Sequence, residues 1–179
     1  EAVDDTLNLA QASGADLGRS AEITVNILRA FRGDTAELAK VLDVLVKAAN
    51  TSTTDVAGIG DAMKFVAPIA KGLGVTLEET SAAIAVLSNA GLQSTMAGTG
   101  LRRIMSALEA PTKKEVELLK SMGLTTADVA VSNVGLTTAL EKLRNAGLDA
   151  GTALELFGDR GGPAAQVLVT MIPELKQFT

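Results

Sequence analysis

The stretch SNAGLQSTMAGTGLRRIMSAL, residues 88–108, places three glycines ahead of two adjacent arginines, which suits either a phosphate-binding loop or a corner between helices. A phosphate-binding loop needs glycines at fixed spacing between a strand and a helix, because backbone amides must approach the phosphates closely. Gly98 and Gly100 lack the third glycine of that pattern, and no strand precedes them. The stretch therefore predicts a corner between two packed helices, with Arg102 and Arg103 on a solvated face or in a salt bridge.

Within this corner, Gly91 is predicted to end one helix, and Ser94 or Thr95 is predicted to cap the next. Gly98 and Gly100 then fall in the first turns of that second helix, where each glycine costs up to about 1 kcal/mol relative to alanine. Close approach of another helix backbone would offset this cost. We therefore expect leucine at position 100 to destabilise the fold.

Apolar residues recur at helical spacing on both sides of this corner. Leu101, Ile104, Met105 and Leu108 lie at i, i+3, i+4 and i+7, which places one apolar stripe on an amphipathic helix. No strand alternation is sustained, and the short VAVSN stretch at residues 129–133 is interpreted as a loop or a short helix. Helices are predicted at residues 2–12, 16–31, 35–50, 54–71, 77–90, 96–109, 112–122, 138–146, 149–157 and 163–176, and residues 124–137 stay ambiguous.

Glycines and cap residues mark the predicted helix ends. Four glycines each follow a helical run and precede a leucine, as expected of a left-handed residue after the last turn. They are Gly72, Gly91, Gly123 and Gly147. Four helix starts pair a side-chain acceptor with a glutamate three residues later. They are Asp34 with Glu37, Thr76 with Glu79, Thr112 with Glu115, and Thr138 with Glu141; Pro111 and Pro163 sit where a helix could begin.

These patterns predict an all-α protein, either a multi-helix bundle or a short α-solenoid of about ten short helices with glycine-terminated corners. We treat residues 1–179 as a single helical domain and, because the chain starts at Glu1 without a targeting pattern, as a fragment of a longer protein. SGADLGRSAEI and STTDVAGIGDAM suggest a weak duplication of residues near 13–50 and 52–91. The segment 124–150 is less certain.

Composition argues against several classes of function. The chain has no Cys, His, Trp or Tyr, so thiolate and imidazole metal ligands, the usual general base and the best base-stacking side chains are absent. Binding of nucleic acid needs a basic face, and the net charge of −5 argues against one. No disulfide framework requires an oxidising compartment, so cytoplasmic synthesis fits. We predict no catalytic, cofactor-binding or metal-binding residue.

Adjacent carboxylates are the remaining candidates for catalysis. A glycosidase needs two carboxylates across a cleft, one of them with a raised pKa. Glu78 and Glu79 are neighbours in the chain, as are Asp4 and Asp5, so the members of each pair point in different directions. They fall in first helical turns, where negative charge favours the helix dipole. We interpret them as capping residues and predict that the protein is not an enzyme.

Three stretches closely resemble the core region of phage tail tape measure proteins. The resemblance covers roughly residues 2–170, with LSNAGLQSTMAGTGLRR as its most specific motif and FGDRGGPAA as a secondary one. Residues 124–150 match less clearly, and Arg32-Gly33 is a local departure. The stretches are AVDDTLNLAQASGADLGRSAEITVNILRAF, TDVAGIGDAMKFVAPIAKGLGVTLEETSAAIAVLSNAGLQSTMAGTGLRRIMSAL and ELFGDRGGPAAQVL.

The resemblance implies a structural module of a phage or prophage virion. Proteins of this family set tail length as rulers in the lumen of the tail tube, after assembly in the host cytoplasm, and leave ahead of the DNA during genome ejection. The implied partners are the tail tube protein, tail assembly chaperones and tail tip or baseplate proteins. Self-association and contact with the host membrane are left open, and no sequence-specific nucleic acid is implied.

The predicted helix corners bear on the shape of this module. The frequent glycine stops fold the chain back on itself, so we expect a folded module rather than the extended shaft of a ruler.

The uncharged stretch at residues 80–101 leaves an alternative: a membrane-active, channel-forming segment for DNA translocation across the host envelope, since small residues permit close helix packing in lipid. Its eight polar residues favour a buried helix and corner instead.

Overall fold

The structure, a computed structural model, describes residues 17–31 and 38–179, and every regular element in these ranges is a helix. The predicted all-α class is confirmed. The predicted helix at residues 2–12 and the Asp34–Glu37 cap lie outside the described residues. The described helices are α1 (Leu17–Ala30), α2 (Leu38–Asn50), α3 (Val56–Gly72), α4 (Leu77–Asn89), α5 (Thr95–Glu109), α6 (Lys113–Ser121), α7 (Thr126–Val129), α8 (Val131–Val134), α9 (Leu136–Asn145), α10 (Ala150–Thr170) and α11 (Ile172–Phe178).

One apolar core joins these helices into a bundle, and each of the described helices contributes buried residues to it. Helix α5 lies between α3 and α10, and α4 packs against α2, α3, α5 and α11. Every residue from 80 to 88 in α4 is buried, which accounts for the uncharged stretch that begins there. The proposed duplication of residues 13–50 and 52–91 stays a prediction, because its first repeat includes residues outside the described ranges.

Four helix ends share one backbone geometry. In each, a glycine has a φ of 76° to 90°, and the next residue donates its N–H to a carbonyl five residues earlier, as Leu92 does to Leu87 at 2.9 Å. This Schellman geometry satisfies a carbonyl that the helix end would leave unpaired. The prediction was wrong at Gly72, which is the last residue of α3. The left-handed glycines are Gly74, Gly91, Gly123 and Gly147.

The predicted caps are confirmed at two helix starts. Thr76 accepts the Glu79 N–H at 3.1 Å, and Thr112 exchanges hydrogen bonds with Glu115 in a capping box. A third cap is wrong, because α9 begins at Leu136, directly after Gly135, rather than at the predicted Thr138. At α5, Ser94 takes the N-cap position, as one of the two predicted alternatives, with a φ of 50°, but its side chain makes no cap hydrogen bond.

The ambiguous segment before α9 folds as two single-turn helices, so the short-helix alternative for residues 129–133 is confirmed. Asp128 joins this segment to α9. Its carboxylate accepts hydrogen bonds from the hydroxyl and the N–H of Thr125 and pairs with Lys142 at 3.1 Å. The Thr125 groups, and then the Lys142 ammonium, lower the pKa of Asp128 from 3.8 to about 2.

The predicted helix at residues 149–157 agrees with the first part of α10, which ends at the break at Gly158, whereas the bounds predicted for the helix at residues 163–176 are wrong. Helix α10 resumes immediately after a break at Gly158, whose φ of 68° and ψ of −175° are not helical. The prediction instead placed the new start at Pro163, which lies inside α10. A further helix, α11, begins at Ile172. A glycine conformation, and not the proline, therefore sets this corner.

Candidate functional site: a glycine-lined junction of three helices

Helix α5 touches α3 backbone to backbone at Gly98. A Cβ at this position would overlap the carbonyl oxygen of Ala62 and lie 2.8 Å from its Cα. These are backbone atoms, which cannot move aside without displacing α3, so only glycine permits this approach. The close contact that we expected from the helix-propensity cost of Gly98 is therefore confirmed.

The same helix approaches α10 at Gly100. A Cβ here would lie 2.8 Å from the Cβ of Ala164 and 3.0 Å from the carbonyl oxygen of Arg160. Gly161 of α10 faces back toward α5, where a Cβ would lie 2.9 Å from Cγ of Arg103. The two sequence motifs that carry the resemblance thus form one interlocked contact.

Gly158 positions the second part of α10 for this contact. Its backbone breaks the helix, and the part after the break packs against the part before it: a Cβ at Gly162 would lie 3.0 Å from the Cα of Leu154. Phe157, immediately before the break, is fully buried. The sequence analysis did not identify Gly161 and Gly162 as packing residues, although two consecutive glycines within a helical run are a usable indication of close contact.

The side chain of Arg103 links α5 to α6 and to α10. Its Nη2 lies 2.5 Å from Oε1 of Glu115 and donates a 3.3 Å hydrogen bond to the Leu156 carbonyl. Glu115 is only 4% exposed and also accepts the Thr112 N–H at 2.6 Å. Burial raises the pKa of Glu115, but the hydrogen bonds from Thr112 and Arg103 outweigh it and hold that pKa below 4.5. The salt-bridge alternative is confirmed for Arg103, and the solvated face for Arg102.

The lowered pKa gives the Glu115 carboxylate a stabilising effect that depends on pH. A depressed native pKa contributes stability above pH 4.5, and this contribution is lost as the pH falls through the native value. Glu115→Gln keeps the size and one acceptor but removes the charge, so we expect it to lower the free energy of unfolding by about 1.5 kcal/mol at pH 7.

Urea denaturation of the parent and the Glu115→Gln variant at pH 7 and at pH 3 tests this. The difference between the two proteins should shrink at the lower pH. An equal difference at both pH values would show that the charge of Glu115 does not stabilise the native state.

A surface groove of about 520 Å³ runs along the outside of this junction, between α5 and α10. Three arginines, one aspartate and two hydroxyl-bearing residues are among the residues that line it. Its lining residues are Thr99, Arg102, Arg103, Ser106, Phe157, Gly158, Asp159 and Arg160. The groove therefore has a chemistry suited to binding an anion.

The predicted carboxylate pair at the start of α4 does not face a shared cleft. Glu78 pairs with Lys40 of α2 at 2.8 Å, and this contact, above all, lowers its pKa despite partial burial. Glu79 instead accepts hydrogen bonds from the N–H and the hydroxyl of Thr137 in α9. Both lie in the first turn of α4, as the capping interpretation requires. Asp4 and Asp5 lie outside the described residues.

The described part of the chain offers neither a cluster of acidic ligands nor a membrane-spanning helix. In residues 17–31 and 38–179 no group of three or more acidic side chains is placed to hold a metal ion. Within the same ranges, none of the helices combines the length and the apolar character needed to cross a bilayer.

The fold and this junction define an all-α helical domain whose helices are held together by glycine-mediated contacts. Residues 1–159 match the family model of the phage-related minor tail protein, and the chain belongs to this family. It is 34% identical over 174 residues to a protein named "Probable tape measure protein" from Escherichia phage P2, covering 92% of this chain and 21% of that protein.

A second relative supports the same assignment. The chain is 34% identical over 146 residues to a protein named "Tape measure protein" from Pneumococcus phage Dp-1, covering 82% of this chain and 13% of that protein. No solved structure matches. The resemblance to phage tail tape measure proteins is therefore confirmed, and the chain spans a minor part of the length of either relative.

Proposed function

We propose that this chain is a folded structural module of a phage or prophage tail tape measure protein, without enzymatic activity. Its roles are in tail length determination, tail assembly and genome ejection. The observation that carries this proposal is the match of 92% of the chain to a protein named as a tape measure protein. The proposed location is the lumen of the virion tail tube, after assembly in the host cytoplasm.

The packing supports a module that is folded rather than extended. A continuous helix rises about 1.5 Å per residue, whereas glycine corners reverse this chain repeatedly and the α3–α5 and α5–α10 contacts hold it in a bundle. Its span is therefore much shorter than its residue count would give as a ruler shaft. The proposed partners of such a module are the tail tube protein, tail assembly chaperones and tail tip or baseplate proteins.

The membrane-active alternative has less support. The apolar side chains of residues 80–88 lie in the core, so presenting them to lipid would require the bundle to open. Leakage from liposomes at several pH values and lipid compositions tests this alternative directly. Leakage caused by the chain would favour a channel-forming segment, and its absence would favour the structural role.

The tail role predicts that deleting a helix pair in the encoding phage changes tail length or prevents assembly. Deletion of residues 52–91 removes α3 and α4, and would shorten a fully extended helical ruler by about 60 Å. Because α3 is central to the bundle, we expect loss of assembled tails rather than a simple shortening. Electron microscopy of tails gives the readout.

Gly98→Ala and Gly72→Ala provide the control, since both leave the residue count unchanged. We expect few tails from the first variant, which disturbs the junction, and normal tails from the second. Normal assembly and unchanged tail length after the deletion would contradict a role of this module in the tail.

A further inference from the structure

The groove between α5 and α10 concentrates positive charge in an acidic chain. The net charge of the chain is −5, and three of its seven arginines line this one groove. Asp159 is the single carboxylate among the lining residues. The lining residues carry a formal charge of +2, and the Glu115 carboxylate, which pairs with Arg103, offsets one of the positive charges.

Among residues 17–31 and 38–179, two of the three arginines have no structural partner. Arg103 is held by Glu115 and by the Leu156 carbonyl. By contrast, within the described ranges no hydrogen bond or ion pair reaches the guanidinium of Arg102 or Arg160, and both side chains are exposed. The helix contact itself is made by glycines, so it does not require either charge.

The two unpaired guanidinium groups come from opposite walls of the groove. Arg102 belongs to α5, and Arg160 belongs to α10, two residues after the break at Gly158. The glycine contacts that bring the two helices together therefore also bring these two side chains to one groove. Its volume of about 520 Å³ falls in the range of sites that hold a short segment or a small ligand.

The geometry of arginine favours planar anions. Its guanidinium presents parallel N–H donors that match the two oxygens of a carboxylate, and such charge-assisted pairs are stronger than neutral hydrogen bonds. A nucleic acid would need a longer basic face, together with aromatic side chains for base stacking. The chain has no Tyr or Trp, and no lysine is among the residues that line the groove. An acidic protein segment is thus the better fit.

We propose that this groove is a docking surface for an acidic segment of a protein partner, whose carboxylates bind Arg102 from one wall and Arg160 from the other. This proposal rests on the proposed function, because that function identifies the partner as a protein of the assembling tail. Arg103, held by Glu115, forms the fixed part of the groove, and the two unpaired arginines supply the recognition.

Fluorescence anisotropy with a short, labelled glutamate-rich peptide tests the docking surface. We expect Arg102→Ala and Arg160→Ala each to weaken peptide binding about fivefold, because each removes one exposed charge-assisted contact. Arg144→Ala is the matched control: Arg144 is also exposed but lies in the last turn of α9, outside the groove. Its affinity for the peptide should equal that of the parent. Circular dichroism should show the same helix content in all variants.

Two outcomes would overturn this proposal. One is equal peptide affinity in all three variants and the parent. The other is tighter binding of a DNA or RNA oligonucleotide of equal charge, with the same arginine dependence, which would make nucleic acid the ligand. Either failure leaves the tail role intact, because the deletion of residues 52–91 tests that role without involving this peptide.

Discussion

Gly98→Ala is expected to lower the free energy of unfolding by about 3 kcal/mol. The added carbon would overlap the carbonyl oxygen of Ala62, so α5 must move away from α3. That movement loosens the buried contacts on both helices. The intrinsic preference of alanine for helix, about 1 kcal/mol, acts in the opposite direction and is smaller. For a chain of this length, the melting temperature should fall by roughly 6 to 12 °C.

Gly72→Ala is the matched control for this substitution. Gly72 is the last residue of α3, its φ is not left-handed, and a Cβ there would meet no atom within 4 Å. The same chemical change should therefore raise stability, by about 0.5 kcal/mol. Thermal and urea denaturation of both variants give the two values. If Gly98→Ala were as stable as Gly72→Ala, the two helix backbones would not be in contact at Ala62.

The bounds of helices that are set by interactions within one turn could be predicted from the sequence. Helix bounds between residues 54 and 122 agree with the structure to within two residues, because apolar spacing and glycine stops both act over a single turn. The cap at Thr138 failed for a physical reason: Gly135 and its positive φ let α9 begin at Leu136, so no side-chain cap was needed there. A residue pattern alone does not reveal which of two nearby starts the backbone takes.

Only the α5 side of the junction could be predicted from the sequence. Glycines at positions 98 and 100 are costly in a helix, so their presence indicated a close contact, but nothing in the sequence named the partner. The contacts with Ala62 and Ala164 depend on how α3, α5 and α10 are arranged in space. The groove depends on the same arrangement, which explains why Arg160 was not identified beside Arg102.

These two limits have a common cause. A glycine within a helix indicates that another part of the chain packs closely against it. Which part does so depends on how all the helices of the bundle are arranged. Here the two motifs that resemble tape measure proteins are each other's neighbours, although they lie more than fifty residues apart in the chain. They meet where Gly100 of α5 contacts α10 and Gly161 of α10 contacts α5. The two motifs therefore meet in one contact in this chain, and the corner at Gly158 positions α10 for it.

Gly158→Ala is expected to lower the free energy of unfolding by about 2 kcal/mol. With φ at 68° and ψ at −175°, Gly158 occupies a backbone region that is essentially restricted to glycine. Alanine would be strained there, and it would also favour continuing the first part of α10 as a straight helix. A straight helix would separate Gly162 from Leu154 and withdraw Ala164 from Gly100, so the α5–α10 contact should weaken together with the corner.

Gly151→Ala, in the same helix, separates this backbone effect from a general effect of adding a methyl group. A Cβ at Gly151 would lie 3.4 Å from Oδ1 of Asp149, an ordinary contact, and its φ is not left-handed. We therefore expect that control to match or slightly exceed the stability of the parent in urea denaturation. Peptide binding in the groove should also fall in Gly158→Ala, because Arg160 follows the corner, and should be unchanged in Gly151→Ala. A Gly158→Ala variant as stable as the Gly151→Ala control would mean that α10 does not need a left-handed residue to turn, and the corner would have to be attributed to Pro163 after all.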